Sequence, residues 1–132
     1  MTQDKNKKPR TVKSLIKESH KTAVEKGWWE NPDRNLYEQL FLMHTELSEA
    51  GEELRSGHGV EYVYENADRP VSNYNGDTLL KPEGFLAEIA DLFIRAGDTL
   101  GRYGLTSKFL DVLEAKLEYN KHREYRHGGK QA

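Results

Sequence analysis

Two long stretches of this chain repeat apolar residues with the period of an α-helix, and they constrain the fold more than any other feature. At about 100° per residue, one apolar stripe of residues 34–55 lies within about 60° of Leu47 and consists of Leu36, Leu40, Met43, Ala50 and Leu54. The stripe of residues 85–101 lies within about 60° of Ile89 and consists of Phe85, Leu86, Leu92, Phe93, Ala96 and Leu100. Amphipathic helices of this length bury their apolar stripe against a neighbour. The two stretches therefore predict a pair of packed helices.

Four main helices are predicted, at about residues 11–26, 34–55, 81–101 and 106–123. Thr11 suits the N-cap of the first helix, and Pro82 suits the first turn of the third. Residues 58–82 interrupt the helical period and contain the turn-like segment Asn73–Asp77, which indicates an insertion loop or a hairpin. We expect an all-α fold, a four-helix bundle with an irregular insertion between the second and third helices.

A single domain fits a chain of 132 residues. We expect residues 1–10 to be a disordered basic arm, residues 11–123 to be the helical domain and residues 124–132 to be a basic tail. Hydrophobic residues make up only 36% of the chain, which is low for helices this apolar. A partner subunit could therefore bury apolar surface of the helices that the single chain leaves exposed.

The composition disfavours several classes of function. A net charge of −2 argues against nucleic acid or a membrane as partner, and no apolar stretch has the length of a membrane span. The absence of cysteine excludes disulfides, thiol nucleophiles and thiolate metal sites. These features are compatible with the cytoplasm, which is the location that we predict.

Two acidic pairs, Glu46/Glu49 and Glu88/Asp91, occupy the same position relative to the apolar stripes of their helices. In each pair the first residue lies about 100° and the second about 160° to the same side of the stripe. The spacing alone carries no weight, because 22 acidic residues among 132 give three to four such pairs by chance and the chain has six. The matched placement instead predicts that four carboxylates meet where the two helices pack.

Carboxylates gathered between two helices repel one another and lose hydration, so they require protons, basic partners or cations. Arg95 is the one base clearly placed beside them, and one arginine does not neutralise four acids. Ligands that are all oxygen suit Mg²⁺, with Mn²⁺ as the alternative, whereas zinc and di-iron sites favour histidine or cysteine. The candidate metal ligands are Glu46, Glu49, Glu88 and Asp91. The alternative interpretation, a solvated charged flank paired with bases, stays open.

Mg²⁺ that is held by carboxylates commonly shares the phosphates of a substrate, which points to a substrate that carries phosphate. One face of the fourth helix repeats Lys116, Asn120 and Arg123, and the basic tail continues it with Arg126. These side chains suit phosphate, sugar or base, although a basic terminus is also compatible with a simple solvated end. Trp28 is either a packing residue at a helix junction or a stacking surface for a nucleobase.

The chain resembles the MazG-like, all-α nucleotide pyrophosphohydrolase superfamily, which also includes dimeric dUTPases and phosphoribosyl-ATP pyrophosphohydrolase. The resemblance rests on the order of Trp28-Trp29-Glu30, Glu46-x-x-Glu49, Glu88-x-x-Asp91 and Lys116-x-x-x-Asn120, and on the ending His127-Gly128-Gly129-Lys130. It implies Mg²⁺-dependent hydrolysis of a nucleoside triphosphate between the α and β phosphates, giving a monophosphate and pyrophosphate. It also implies a homodimer or homotetramer.

The resemblance assigns the metal to the two acidic pairs, with one glutamate activating the attacking water, and it assigns substrate contacts to Lys116, Asn120 and Arg123. Two features depart from the family pattern. Thr45 stands where many members carry an additional acid, for which Glu53, one turn beyond Glu49, is a candidate substitute. The connector at residues 50–87 is also longer than usual. These departures motivate an alternative, a non-catalytic helical regulatory or interaction module of the same fold. A nucleic-acid binder that uses the basic tail is a third reading, which the negative net charge disfavours.

Overall fold

The computed structural model describes residues 7–131, and it is mostly helical with one small sheet. The elements follow the order α1 (Val12–Glu25), α2 (Leu36–Arg55), β1 (Tyr64–Ser72), β2 (Thr78–Glu83), α3 (Phe85–Arg102), α4 (Thr106–Lys121) and a short α5 (Arg126–Gly129). Among the described helices, none combines the length and the apolar character that crossing a bilayer demands. Residues 1–6 of the predicted arm lie outside the described residues, and residues 7–10 belong to no helix or strand.

The starts of the first two helices follow from side chains that cap free backbone N–H groups. The Thr11 hydroxyl accepts a hydrogen bond from the Ser14 N–H at 3.0 Å, and the Ser14 hydroxyl oxygen accepts one from the Thr11 N–H at 3.0 Å. This reciprocal pair confirms the predicted N-cap of α1. Asn35 caps α2 in the same way through the N–H of Glu38 at 3.1 Å, so this helix begins at Leu36.

The insertion is an antiparallel β-hairpin, which confirms the predicted hairpin and means that the fold is mostly helical but not all-α. Tyr64 lies opposite Glu83 at the base of the hairpin, and the register shifts between Asn66 and Val71. The predicted turn at Asn73–Asp77 closes it, with the Asn73 N–H donating to the Asp77 carbonyl at 2.9 Å. Pro82 consequently lies in β2, and the third helix begins later than predicted, at Phe85.

The interior of the single chain is small and largely polar. Only three hydrophobic side chains are buried among the described residues, which are Ile16, Ala23 and Ala50. Gln39, Asp98 and Thr99 are buried beside them, and the Gln39 side-chain amide donates to the Thr99 hydroxyl at 2.9 Å. Hydrogen bonds between side chains therefore link α2 and α3 where an ordinary bundle has apolar contacts.

The predicted apolar stripes do not form the centre of this interior. Leu47 is 48% exposed and Phe93 is 57% exposed, whereas Glu46 and Glu88 are buried. The helices α2 and α3 do pack on each other as predicted, but the surfaces that meet are those that carry the acids. The apolar stripes of both helices are left largely on the surface of the single chain.

The fourth helix does not complete a four-helix bundle within one chain. It makes only sparse contacts with α1 and α3, and it has no buried residue. Phe109 and Leu113 border an apolar cavity of about 630 Å³ between α1, α3 and α4, and Leu117 is half exposed. The well-packed unit therefore consists of α1, α2 and α3, with α4 alongside.

Close packing of α1 on α3 depends on a glycine. A Cβ atom at Gly101 would lie 2.6 Å from the Cβ of His20 and 3.4 Å from the carbonyl oxygen of Ile16. The first distance is far shorter than a van der Waals contact, and both atoms belong to the helix opposite. The two backbones can therefore approach this closely only because position 101 carries no side chain.

We expect the substitution Gly101→Ala to lower the free energy of unfolding by about 1–3 kcal/mol, because α1 must move away from α3. Gly51→Ala is the matched control, since position 51 lies in α2 and nothing within 4 Å would meet the new methyl group. Helix propensity predicts that this control is neutral or stabilising by up to about 1 kcal/mol. Urea unfolding of both variants, followed by circular dichroism, measures the difference. Equal effects at the two positions would contradict the packing argument.

Candidate metal centre

Three of the four predicted carboxylates converge between α2 and α3. Oxygen atoms of Glu46, Glu49 and Glu88 lie within 4.8 Å of one another. Glu46 and Glu88 are 5% and 6% exposed, and Glu49 is exposed at the edge of the group. The angular positions of these residues on their helices, derived from sequence, therefore do bring them together.

Glu88 is the buried centre of this group, and its environment does not satisfy it. Its Oε2 atom has no hydrogen-bond partner, the only such buried side-chain atom found in residues 7–131. A buried carboxylate oxygen without a partner costs about 1–3 kcal/mol or more. This oxygen could be satisfied by a proton on Glu88 itself, by a cation or by a ligand. The surrounding acids, when ionised, have no proton to donate to it.

The protonation of Glu88 shows how unfavourable its ionised form is in the protein alone. Burial raises the pKa of Glu88 from its ordinary value of 4.5 to about 8, and hydrogen bonds of the protonated form to Glu49 and Glu46 add to the rise. This carboxyl group holds its proton at neutral pH in the absence of metal, and a divalent cation that binds there would displace that proton. The donor set, which is carboxylate oxygen throughout, fits Mg²⁺ or Mn²⁺.

Asp91 lies beside the group of three and is not a member of it. Its side chain lines a cavity together with Glu46 and Arg95. Burial raises the pKa of Asp91, and the negative charge of Glu46 adds to the rise while Arg95 opposes it. The Arg95 guanidinium donates to Glu46 Oε1, so the one base predicted beside the acids is indeed paired with them.

A second group of carboxylates adjoins the first and shares Glu88 with it. Oxygen atoms of Glu53, Glu83 and Glu88 also lie within 4.8 Å of one another. Glu53 comes from α2, one turn beyond Glu49, and Glu83 is the last residue of β2. Three separate elements therefore each place one carboxylate at this point.

The loop after α2 and the base of the hairpin hold Glu53 in place. His58 Nδ1 lies 2.6 Å from its Oε2 atom, and the Tyr64 hydroxyl donates to its Oε1 atom at 2.9 Å. The hydrogen bond with His58 lowers the pKa of Glu53. The hydrogen bond that Tyr64 makes with Glu53 raises the pKa of the Tyr64 hydroxyl. Tyr62, Tyr64 and His58 pack together as an aromatic cluster with ring centres 5.1–5.4 Å apart. Tyr64 therefore supports an acid, a role that differs from the base stacking that its aromatic ring suggests.

Trp28 borders the candidate centre, whereas Trp29 is half-buried against α3. The side chain of Trp28 is 60% exposed, which rules out the role of a core packing residue. It lines a cavity of about 230 Å³ with Glu46, Asp91 and Arg95. The indole N–H of Trp29 instead donates to Asp98 Oδ1 at 2.8 Å. Of the two tryptophans, Trp28 is therefore the one available to a ligand.

The structure does not bring the predicted substrate residues of α4 and the tail to the acids. Within residues 7–131, Lys116, Asn120, Arg123 and Arg126 form no ion pair or side-chain hydrogen bond with them. Lys116 and Arg123 instead lie over the ring of Tyr119, each with its charge 5.6 Å from the ring centre. None of these residues lines the cavity beside Trp28, and their contacts with a substrate stay a prediction.

Comparison with known proteins finds no matching family, no matching curated protein and no matching solved structure. The MazG-like resemblance therefore stays a prediction that rests on the residues themselves.

One carboxylate of the site, Glu83, was not identified as a ligand from sequence. Glu83 precedes α3 by two residues, and nothing in the helical period marks it, because its position depends on the register of the hairpin. Lys81, whose amino group lies 3.0 Å from Glu83 Oε1, is placed by the same strand. Glu53 was identified from sequence as a substitute for the acid missing at Thr45, since it lies one helical turn beyond Glu49 on the same side of α2.

We expect the metal-free protein to lose stability as the pH rises from 5 to 9. The folded-state pKa of Glu88, about 8, exceeds its ordinary value of 4.5, so the stabilising proton is fully present below the ordinary value and is lost as the pH rises through the folded one. The loss amounts to on the order of 4 kcal/mol at most. Melting temperatures in chelator measure it.

The variant Glu88→Gln keeps a neutral side chain at all pH values, so its melting temperature should depend much less on pH. A residual slope of the same sign is expected from Asp91, whose pKa is also raised. Glu52→Gln, at an exposed position of α2, is the control and should follow the wild type. Parallel curves for the wild type and Glu88→Gln would show that Glu88 does not hold a proton in the fold.

Proposed function

We propose that this protein is a Mg²⁺-dependent nucleoside triphosphate pyrophosphohydrolase that cleaves between the α and β phosphates. The observation that carries the proposal is the buried Glu88 carboxylate, which has an unpartnered oxygen and lies between carboxylates of two packed helices. Such a group is costly without a cation and becomes useful with one. The sequence resemblance to MazG-like pyrophosphohydrolases supplies the reaction class.

Glu46, Glu49 and Glu88 would hold the ion, with Asp91 at the side of the adjoining cavity. Bound Mg²⁺ supplies positive charge against phosphate and can lower the pKa of a coordinated water. The ion pair with Arg95 fixes the orientation of Glu46 on the wall of the cavity. A fixed carboxylate frame lowers the entropy cost of placing the triphosphate.

Glu49 is the group that we assign to accept the proton of the attacking water. Glu46 is paired with Arg95 and Glu88 is buried, whereas Glu49 is exposed beside them. The water oxygen forms a bond to the α phosphorus while the bond from that phosphorus to the α–β bridging oxygen breaks. The products are a nucleoside monophosphate and pyrophosphate, and the proton is held by Glu49 before its release to solvent.

The cavity beside Trp28 is the proposed site for the nucleoside. Its volume of about 230 Å³ accommodates a base, and its walls carry Trp28 for stacking and Arg34, whose guanidinium lies 5.7 Å from the centre of that ring. Glu46 and Asp91 line the same cavity, so a base placed there has its phosphates close to the acids.

We further propose that the active form is a homodimer or homotetramer. The chain exposes 11013 Å² of surface, whereas a compact monomer of 15.2 kDa exposes about 7,100 Å². Part of the excess belongs to the hairpin and the tail, but the half-exposed apolar residues of α2, α3 and α4 contribute as well. Association through these faces offers a route by which Lys116, Asn120, Arg123 and Arg126 of one copy reach the acids of another. The cytoplasmic location stays an expectation from composition.

The second candidate function is a non-catalytic helical interaction module. The observation that favours it is the same exposed apolar surface, which suits a protein partner as well as a second copy. Metal binding distinguishes the two candidates, because the interaction module does not need a cation at Glu88.

The purified protein is expected to release pyrophosphate and a matching monophosphate from at least one common (d)NTP in Mg²⁺. Glu49→Gln and Glu88→Gln should each lower kcat by about 100-fold or more, since each removes a carboxylate of the centre. Chromatography that resolves pyrophosphate from orthophosphate measures the products. Glu52→Gln serves as the matched control, because Glu52 pairs with Arg55 on the surface of α2 and belongs to neither carboxylate group.

Full metal-dependent activity in folded Glu49→Gln and Glu88→Gln would show that the site is wrongly placed. Absence of hydrolysis, together with an unchanged melting temperature in millimolar Mg²⁺ or Mn²⁺, would favour the non-catalytic module.

Sedimentation is expected to give a dimer or a tetramer at micromolar concentration. Phe93 is 57% exposed on α3 and borders the apolar cavity, so Phe93→Glu should shift the protein toward monomer. Val71→Glu, at an equally exposed position of the hairpin, should leave the assembly intact. A wild-type chain that sediments as a monomer would contradict the proposed assembly.

A further inference from the structure

The cavity beside Trp28 contains a carboxylate that lies apart from the candidate metal centre. Asp98 lines this cavity two helical turns beyond Asp91 on α3, and it is only 8% exposed. A carboxylate gives up its hydration at low cost only where hydrogen bonds replace the water. Asp98 belongs to none of the motifs on which the family resemblance rests, so the resemblance assigns it no role.

Only one of the two Asp98 oxygens has partners within the chain. Oδ1 accepts a hydrogen bond from the indole N–H of Trp29 at 2.8 Å and lies 2.9 Å from His20 Nδ1. Within residues 7–131, Oδ2 takes part in no hydrogen bond and no ion pair. Oδ2 is not sealed off either, since Glu88 Oε2 is the one fully enclosed side-chain atom of the described residues that lacks a partner. Asp98 therefore offers a free acceptor to a molecule in the cavity.

A second buried polar side chain lines the same cavity near Asp98. Ser19 of α1 is 7% exposed, and its hydroxyl packs against α3 at the residue that precedes Asp98. A Cβ atom at that residue, Gly97, would lie 3.1 Å from Ser19 Oγ. A hydroxyl donates or accepts as its neighbour requires, whereas a carboxylate only accepts. Two helices therefore supply one fixed acceptor and one adaptable group to the wall of the cavity.

The spacing of the acids along α3 fits the length of a nucleotide. Asp98 follows Asp91 by seven positions, which corresponds to a rise of about 10 Å along the helix. The hydrogen-bonding edge of a base lies at a comparable distance from the α phosphate of an extended nucleotide. With the α phosphate at the acids and the base stacked on Trp28, the edge of the base therefore reaches Asp98.

A carboxylate oxygen at the edge of a base selects for N–H donors. Cytosine and adenine present an exocyclic amino group at this edge, next to a ring nitrogen that accepts a hydrogen bond. The amino group suits Asp98 Oδ2, and the ring nitrogen suits the Ser19 hydroxyl as a donor. Uracil and hypoxanthine carry a carbonyl oxygen in place of the amino group. That oxygen would repel the carboxylate and leave its acceptor unsatisfied.

We propose that Asp98 selects the base of the substrate, and that the preferred triphosphates carry an amino group at the position of N4 in cytosine or N6 in adenine. This inference rests on the proposed function, since it takes the cavity beside Trp28 as the site for the nucleoside. Ser19 supports the selection by donating to the adjoining ring nitrogen. Asp98 contacts the base and takes no part in the cleavage.

The test compares two pairs of nucleotides in which a carbonyl replaces the amino group, dCTP with dUTP and dATP with dITP. Non-hydrolysable α,β-methylene analogues of all four are titrated into the full-length protein in Mg²⁺ and followed by calorimetry, so the measurement does not depend on cleavage. The wild type is expected to bind the amino-bearing member of each pair more tightly by about 10-fold or more, because the other member leaves a buried acceptor unpaired.

Asp98→Asn should reverse the preference within each pair. The indole N–H of Trp29 requires an acceptor, so the amide oxygen takes the place of Oδ1 and the NH₂ group takes the place of Oδ2. A donor at that point favours the carbonyl of uracil and hypoxanthine. Asp111→Asn is the matched control, since it makes the same change at an exposed position of α4 and should keep the wild-type preference.

Trp29→Phe separates selection of the base from support of the fold. It removes the hydrogen bond to Asp98 Oδ1 and leaves the carboxylate in place, so it should lower the melting temperature and keep the preference. Circular dichroism checks the folding of each variant. If Asp98→Asn fails to fold, Ser19→Ala decides the question, because loss of the hydroxyl should narrow the preference within each pair.

Two outcomes would overturn the role of Asp98. The first is a wild type that binds the uracil and hypoxanthine analogues as tightly as the cytosine and adenine analogues, or more tightly. The second is a loss of preference in Trp29→Phe as large as that in Asp98→Asn, since the shape of the surrounding network would then decide it. Release of pyrophosphate without any preference refutes the role of Asp98 and leaves the proposed function standing, whereas preference without hydrolysis does the reverse. A wild type that binds none of the four analogues contradicts both.

Discussion

Repulsion among buried carboxylates at the α2–α3 interface is the constraint on which the rest of the structure depends. Glu46 and Glu88 are buried where the two helices meet, and in this part of α2 the only apolar residue that is buried with them is Ala50. Apolar burial is therefore too small here to offset several desolvated charges. Arg95 compensates one carboxylate, and the raised pKa of Glu88 shows that a proton compensates another when no cation is present. Stability and occupancy of this centre are consequently two aspects of one equilibrium, since any cation that binds the folded form stabilises it.

Polar contacts also hold the other side of the three-helix unit. Asp98 on α3 accepts a hydrogen bond at Oδ1 from the indole N–H of Trp29, and the same oxygen lies 2.9 Å from His20 Nδ1. These two contacts connect α1 and the loop after it to α3. Arg34 donates to the Gln39 side-chain carbonyl at 2.8 Å, and Gln39 donates to Thr99. Networks of this kind fix the register of helices well, but they contribute little apolar burial. The chain therefore gains specificity from its interior, and it leaves on its surface the apolar area that ordinarily stabilises a helical domain. This exposed apolar area is the physical basis for proposing a second copy of the chain as partner.

The helical period predicted where α2 and α3 lie and that their acids converge, because angular position on a helix follows from sequence alone. It did not predict which surface of each helix faces the neighbour in the same chain. Leu47 and Glu46 lie on adjacent faces, and only the tertiary arrangement decides which of the two is buried. Glu83 was beyond reach for a different reason. Its place depends on strand register and on the backbone of Gly84, and neither leaves a periodic trace in the sequence. The capping residue Thr11 was predicted because its signal is local.

The location of the insertion favours a role at its base over a role at its tip. The chain leaves α2 two residues after Glu53, and it re-enters the helical unit immediately after Glu83, so both ends of the insertion lie at the same carboxylate group. Tyr74 at the tip is fully exposed, and in the described residues β2 is the strand that packs against α3. A lid would be expected to bring its tip over the acids, whereas this hairpin brings its base to them. Because Glu88 belongs to both carboxylate groups, whatever fixes Glu83 also affects the ligands of the first group. The hairpin therefore acts on the proposed centre through a shared ligand, without any need to close over it.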